Sequence, residues 1–207
     1  MRSSLPAATS FLDTFHTYIP DEIQKVIMIA PSKSCQLDPL PTHILKDFLP
    51  DLLPYITEMC NGSLEVGRLP LSQRHAIVQP RLKKATADPE DMKNYRPILN
   101  LTFISKVIEK LVFRQICAFL EDNKLLSIMQ SAYRLYHSTE TAVLKIASDI
   151  HRATDRGDVT FLICPPLSTR LTTISWSIVL RAFCLRALVL EWIKSFLFKR
   201  TQSVLLN

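Results

Sequence analysis

The chain has 207 residues and a net charge of +6, from 25 Lys or Arg against 19 Asp or Glu. Hydrophobic residues make up 47% of the sequence, which argues against an intrinsically disordered chain. The 3 glycines lie too far apart to form a phosphate-binding loop or a dinucleotide fingerprint, so both of these nucleotide sites are excluded.

Charge is unevenly distributed along the chain. Residues 1–73 hold 5 basic and 8 acidic residues, whereas residues 74–207 hold 20 basic and 11 acidic residues. A basic segment of this kind suits a polyanion such as nucleic acid, although an ordinary solvated basic surface gives the same count.

The cysteines and histidines form no recognisable ligand set. The five cysteines make no C-x-x-C pair and have no histidine at metal-ligand spacing, so we predict reduced thiols, an intracellular protein and no zinc site. The sequence does not choose between nucleus and cytoplasm. Since no run of about 18 apolar residues occurs, a membrane is not an expected partner.

The first third of the chain is predicted to be helical after a poorly ordered start. Residues 1–19 show no periodicity and are expected to lack order. Pro20, followed by two acidic residues, predicts a helix start, and Pro31 ends that helix. Two further helices are predicted at about 42–49 and 51–66, the second closing at a glycine.

The middle of the chain combines one short strand with two amphipathic helices. Residues 75–79 form a short run that contains the β-branched Ile77 and Val78 and is bounded by Pro80, which predicts a strand. Residues 81–97 are predicted to form a polar, basic loop. The clearest helix spans 102–121, where apolar residues recur at helical spacing. A second amphipathic helix is predicted to begin near Ser138, with Ser138 or Thr139 as its cap.

The last part of the chain predicts a strand, a helix and the start of another strand. Residues 159–163 read as a buried strand that ends at two prolines, and residues 176–198 are predicted to be helical. A further strand is predicted from Ser203. Helices that alternate with a few short strands indicate an α+β fold.

Four short segments occur in a distinctive order in this chain. They are KNYRPI (93–98), FISKVIEK (103–110), QSAYR (130–134) and HSTETA (137–142). This series closely resembles the reverse transcriptase of non-LTR (LINE-type) retrotransposons. Together with matching segments at 32–42 and 200–204, the resemblance covers about residues 20–207.

The resemblance implies a right-hand polymerase fold, with mostly helical fingers and an incomplete palm. It implies a helical N-terminal extension at 20–73, the fingers at 74–157, and a truncated, degenerate start of the palm at 158–207. The chain stops before the family's Ala-Asp-Asp hairpin. We therefore expect an incomplete palm sheet, with the strand at 159–163 left as an unpaired edge.

The resemblance also implies that no catalytic residue is intact. When residues 159–163 are matched to the family's palm strand, Pro166 occupies the position of the first metal-binding Asp, and Leu171 occupies that of the aromatic residue that excludes ribonucleotides. Proline has no side-chain oxygen to offer a metal. The family uses Mg²⁺, but no cofactor is expected for this chain. Cys184 and Ala187 occupy positions where the family has glycine.

The fingers are better preserved. Lys83 or Lys84, together with Arg96, match the family's residues that bind the triphosphate of the incoming nucleotide, where cations neutralise phosphate charge. The positions that match template and primer contacts are Gln130, Arg134, His137 and Ser138. A solvated loop would also explain the two lysines, and a capping or packing role would explain His137.

Three functional hypotheses follow from these residues. The first is a reverse transcriptase fragment, an RNA-directed DNA polymerase by descent, without activity of its own. The second is a non-catalytic RNA- or DNA-binding module that uses the basic fingers. The third is a decayed relic without selected function. Weak binding of RNA or an RNA–DNA hybrid is expected from the first two, and the oligomeric state stays open.

Overall fold

The computed structural model describes residues 10–127, 130–132, 134, 136–162 and 180–205. Within these ranges the regular elements, in chain order, are α1 (Pro20–Ile29), α2 (Thr42–Asp47), α3 (Leu49–Val66), β1 (His75–Leu82), β2 (Tyr95–Asn100), α4 (Phe103–Asp122), α5 (Thr139–Asp155), α6 (Ala187–Leu197) and β3 (Thr201–Val204). The predicted α+β class is confirmed.

The ends of α1 and α3 follow from their sequences. Pro20 occupies the first turn of α1, and the Glu22 carboxylate accepts a hydrogen bond from the Ile19 N–H at 3.1 Å, which satisfies an otherwise unpaired donor. Gly67 closes α3 with φ of 65°, a left-handed conformation that favours glycine. A Cβ at Gly67 would lie 2.9 Å from the Leu188 carbonyl oxygen, so this close approach also requires glycine.

Helix α4 lies in the hydrophobic core, where it packs against α1 and α3, as its periodicity predicted. Its buried apolar side chains are Phe103, Val107, Ile108, Leu111 and Val112. Each such side chain contributes about 1.5–3 kcal/mol of transfer free energy. Helix α6 joins the same core through Trp192, whose Nε1 donates a hydrogen bond to Ser63 Oγ at 3.0 Å.

The predicted disorder of the N-terminal segment is wrong for residues 10–19, which pack on the core. The ring of Phe15 meets the ring of Trp192 edge-on, with 6.3 Å between centroids. Tyr18 is buried, and its hydroxyl donates to the Leu111 carbonyl at 2.9 Å. The segment is held by contacts with distant residues and has no regular structure of its own, so periodicity could not reveal it.

The sheet has three strands in the order β2-β1-β3. Strands β1 and β2 are antiparallel, whereas β1 and β3 are parallel. Strand β3 lies in the segment expected to begin the palm, yet it pairs with β1 of the expected fingers. The hydrophobic core also contains Ile23 from the predicted N-terminal extension, Ile108 from the predicted fingers and Val189 from the predicted start of the palm. These three segments therefore share one core.

Strand β1 continues through Pro80, which was expected to end it. Lys83 N–H donates to the Asn94 carbonyl at 2.8 Å, so these two residues form a hydrogen-bonded pair. Because such pairs alternate with non-bonded ones, Pro80 and its partner Pro97 form a non-bonded pair in which neither missing N–H is needed. The loop predicted at 81–97 is correspondingly shorter, since both of its ends belong to strands.

The buried strand predicted at 159–163 is wrong for its described part. Residues 159–162 form no strand, and Val159 and Phe161 are 81% and 83% exposed. An apolar run becomes a buried strand only where a neighbouring strand pairs with it, and no described strand does so here. The fifth residue, Ile163, lies outside the described residues.

The helix predicted at 176–198 is interrupted in its described part. The backbone leaves the helix after Ala182, Leu185 pairs with Leu12, and a new helix, α6, begins at Ala187. The turn has the hydrogen bonds of a Schellman motif, from Leu185 N–H to the Leu180 carbonyl (3.2 Å) and from Cys184 N–H to the Arg181 carbonyl (2.9 Å).

Both positions of this turn that are glycine in the resembling family have positive φ here. Cys184 has φ of 61° and Ala187 has φ of 42°. The left-handed region costs a residue with a Cβ about 1–2 kcal/mol, whereas glycine enters it freely. The backbone therefore keeps a shape that its present side chains disfavour.

Candidate nucleic-acid interface

One face of the β1–β2 pair collects polar and cationic side chains. Residues directly opposite each other in an antiparallel pair share a face, as do alternate residues of one strand. Arg81 lies opposite Arg96, and Ile77 lies opposite Asn100. Gln79, Arg81, Arg96 and Asn100 therefore share one face with Ile77 and Ile98, and we call it the basic sheet face.

Lys83 extends the basic sheet face beyond the end of β1. Its hydrogen bond to Asn94 continues the ladder, so alternation places Lys83 on the side of Arg81 and Lys84 off it. The Lys83 ammonium donates to the Lys93 carbonyl at 2.6 Å, which holds it beside the strands. The structure thus brings Lys83 and Arg96, two of the predicted triphosphate ligands, together.

Arg81 is a residue that no sequence motif singled out. It lies directly opposite Arg96, both side chains are exposed, and neither forms an ion pair with a carboxylate among the described residues. Like charges directly across a pair are destabilising, by up to about 1 kcal/mol at 4 Å in water. A bound anion between the two guanidinium groups would remove this repulsion.

The loop that joins β1 to β2 is fixed by its own polar groups. The Asp91 carboxylate accepts from Lys93 N–H at 2.9 Å, and the Asn94 side-chain amide donates to the Asp88 carbonyl at 3.0 Å. The Tyr95 hydroxyl donates to the Pro89 carbonyl at 3.0 Å. These bonds explain the first half of the KNYRPI segment, because they hold the chain that leads into Arg96.

The four residues predicted to contact template and primer lie between α4 and α5. Arg134 donates to the Ser127 carbonyl at 3.1 Å, and Gln130 donates to the Ala132 carbonyl at 3.3 Å, so both side chains support the local backbone. Ser138 caps α5, since its hydroxyl accepts from Thr141 N–H at 3.1 Å.

Of the two predicted caps, Ser138 is therefore the one observed, and Thr139 is the first residue of the helix. His137 precedes it and is exposed. A template or primer role for these four residues stays a prediction. Pro166 and Leu171 lie outside the described residues.

A carboxyl with a raised pKa occurs on α4 rather than on the basic sheet face. Burial raises the pKa of Glu109 on α4, and the nearby Arg200 guanidinium, 3.6 Å away, partly opposes this effect. Arg200 also lies over the ring of Phe196, 4.3 Å from its centroid. Glu109 thus ties α4 to the start of β3, which is a structural role.

Neither a metal centre nor a membrane span is evident in the described part of the chain. It contains no group of three or more His, Cys, Asp or Glu side chains arranged to hold a metal ion. Among the described helices, none combines the length and the hydropathy needed to cross a bilayer.

The sequence is similar to polymerases of mobile elements. No known family model matches it. It is 24% identical over 129 residues to the RNA-directed DNA polymerase from mobile element jockey of Drosophila melanogaster, covering 62% of this chain and 14% of that protein. The corresponding protein of Drosophila funebris is 26% identical over 153 residues, covering 70% of this chain and 16% of that protein.

The chain thus spans about a seventh of the length of the curated relatives it matches. Jockey is a LINE-type element. The similarity confirms the relationship that the four motifs predicted: this chain is related to the reverse transcriptase of LINE-type retrotransposons.

Proposed function

We propose that this chain is a degenerate reverse transcriptase fragment that binds nucleic-acid phosphates through its basic sheet face and does not polymerise DNA. In this proposal residues 20–73 are the N-terminal extension, residues 74–157 the fingers, and residues 158–207 the altered start of the palm. The observation that carries the proposal is the pairing of Arg81 with Arg96 on one exposed face.

The chemistry of this face suits phosphate. Arginine presents several N–H donors in a planar fork that matches two phosphate oxygens, and each neutralised phosphate releases counterions. Lys83 adds a third cation from the same side of the ladder. The RNA or RNA–DNA hybrid held in this way would be bound without regard to sequence, because phosphates carry no base information.

The absence of polymerase activity is argued from Pro166. Two-metal catalysis of phosphoryl transfer requires carboxylates that hold both metal ions. The resemblance places Pro166 where the first of these carboxylates belongs, and a proline side chain offers no oxygen. The residue therefore does not fit a metal site, and we derive no catalytic step for this chain.

The turn at Cys184 and Ala187 supports the description as degenerate. Both residues hold positive φ at positions where the family has glycine. Retained backbone shape with unfavourable side chains is what substitution without selection for stability would leave.

Fluorescence anisotropy with a labelled RNA–DNA hybrid tests the proposed binding. The double variant Arg81→Ala, Arg96→Ala is expected to lower the slope of log affinity against log salt by about 0.9 for each phosphate that it no longer neutralises. The matched control is Lys145→Ala, Arg156→Ala, which removes two exposed cations that already pair with Asp149 and Asp158.

The control is expected to keep the parent slope. If the parent binds no RNA even at low salt, the chain is a relic rather than a binding module. If both double variants lower the slope equally, binding depends on net charge, and the basic sheet face is not the site.

A further inference from the structure

Two adjoining cavities continue from the basic sheet face. The first, of about 470 Å³, lies between α1 and α4, and the second, also of about 470 Å³, lies between the α1–α2 connection and the sheet. Lys33 and Lys106 line both, so the cavities form one groove. Arg81 lines the second cavity, which joins the groove to the basic sheet face.

Cations follow the whole length of the groove. Lys106, Lys110 and Arg114 recur every four residues on α4, so they lie on one side of the helix about 6 Å apart along its axis. Lys33 faces them from the α1–α2 connection. With Arg81 they form a row of five exposed cations.

The row is not neutralised from within the described residues. None of the five cations forms an ion pair there, and no described carboxylate lines either cavity. The Lys106 charge does lower the pKa of Glu109, whose own ion pair is with Arg200. The groove therefore presents uncompensated positive charge to a polyanion.

The second cavity also carries three side-chain amides, from Gln36, Gln79 and Asn100. None of these amides forms a hydrogen bond with another described residue. An amide side chain both donates and accepts. A phosphate group only accepts hydrogen bonds, so it would pair with the N–H groups of these amides and leave their carbonyl oxygens unused. The edges of nucleic-acid bases both donate and accept, so the amides suit exposed bases.

The first cavity supplies an apolar floor, made by Val26, Ala30, Phe103 and Val107. Base faces are flat and stack on apolar surfaces only when they are not already stacked in a duplex. An acidic amphipathic helix would also fit an apolar floor with a cationic rim. Its backbone polar groups are already paired, however, and its carboxylates only accept hydrogen bonds, so it would leave the carbonyl oxygens of the three amides without donors.

The structure assigns this groove to a single-stranded nucleic acid, and this inference rests on the proposed function. In it the strand passes the Arg81 and Arg96 pair, offers its bases to the amides, and places its phosphates along Lys106, Lys110 and Arg114. The groove thus makes the chain a binder of single strands in preference to duplexes.

The test is anisotropy with a labelled uridine homopolymer of about 15 nucleotides, compared with a duplex RNA of the same length. The triple variant Lys106→Ala, Lys110→Ala, Arg114→Ala is expected to weaken single-strand binding by about 10- to 100-fold at 0.1 M salt. Its salt slope is expected to fall by about 2, since each single-strand phosphate contributes about 0.7.

The control triple variant changes Lys25, Lys145 and Arg152 to Ala. It removes the same charge, lines neither cavity, and is expected to keep the parent affinity within about twofold. Circular dichroism confirms that both triple variants fold, and Lys110→Glu serves as a single-site alternative that is expected to weaken binding in the same direction.

Failures of the two proposals are distinguishable. If the α4 triple variant binds the single strand like its control while the Arg81 and Arg96 double variant does not bind, the groove assignment is overturned and the proposed function stands. If instead the α4 triple variant loses single-strand binding while the Arg81 and Arg96 double variant keeps it, the proposed function at the basic sheet face is overturned, and with it the path that takes the strand past that pair. The assignment is also overturned if duplex RNA competes as well as the single strand, or if an acidic amphipathic peptide binds the groove while the triple variant keeps its affinity for RNA.

Discussion

Replacing Cys184 and Ala187 with glycine is expected to stabilise this protein, which is unusual for a glycine substitution. Both residues hold left-handed backbone conformations, with φ of 61° and 42°. Relief of the left-handed conformation is worth about 1–2 kcal/mol per site. Glycine has more conformational freedom in the unfolded chain, and this reduces the gain in folding stability by about 0.5–1 kcal/mol per site.

The net gain is therefore about 0.5–1 kcal/mol per site, and about 1–2 kcal/mol for the pair if the two effects add. For a chain of this length, 1 kcal/mol shifts the melting temperature by about 2–4 °C, so the double variant is expected to melt about 2–8 °C higher. The substitutions remove little packing, because Ala187 is exposed and Cys184 is only half-buried.

Urea titration and thermal melting of each variant measure the effect. The control is Ala182→Gly, an exposed alanine at the last helical position before the turn and without positive φ. It is expected to reduce stability by about 0.5–1 kcal/mol. If Cys184→Gly and Ala187→Gly destabilise the protein as much as this control does, the strain inferred from their backbone angles is absent.

Three further predictions concern catalysis and stability. In primer extension with Mg²⁺ or Mn²⁺, the purified chain is expected to give no templated product. Pro166→Asp is expected not to restore polymerase activity, because one carboxylate cannot hold two metal ions. Extension above that of a heat-killed control would refute this prediction. Gly67→Ala is expected to cost about 2 kcal/mol or more in urea unfolding, because a Cβ would add left-handed strain and lie 2.9 Å from the Leu188 carbonyl oxygen; an unchanged midpoint would contradict it. Burial raises the pKa of Glu109 from 4.5, so the folded state binds the Glu109 proton more tightly than the unfolded state does. The free energy of unfolding that this group contributes at low pH therefore declines as the pH rises above about 4.5. Glu109→Gln is expected to remove that decline in unfolding free energies measured across this range, and an unchanged pH slope would count against it.

Elements set by local sequence were predictable. Helix α4 follows from its apolar period, the start of α1 from Pro20, and the end of α3 from Gly67, because each depends on residues within a few positions. The burial of Phe15 and Tyr18 depends instead on contacts with residues far along the chain. No local period encodes such contacts.

Strand pairing and the candidate site also depend on distant contacts that the local sequence does not reveal. Pro80 reads locally as a strand end, but the register places it opposite Pro97, where no N–H is required. Residues 159–162 read as a strand, but no described strand pairs with them. Arg96 was identified as a candidate phosphate ligand from its motif. Arg81 is identified as one only from the strand register, which places it opposite Arg96.

The most direct test of phosphate binding at the basic sheet face is an NMR titration of the arginine side-chain Nε–Hε signals with a short RNA strand. The signals of Arg81 and Arg96 are expected to shift together and to saturate at the affinity measured by anisotropy. The Arg156 signal, whose guanidinium already pairs with Asp158 at 3.2 Å, is expected to stay in place. Saturation with RNA that leaves both Arg81 and Arg96 unshifted would contradict the central claim.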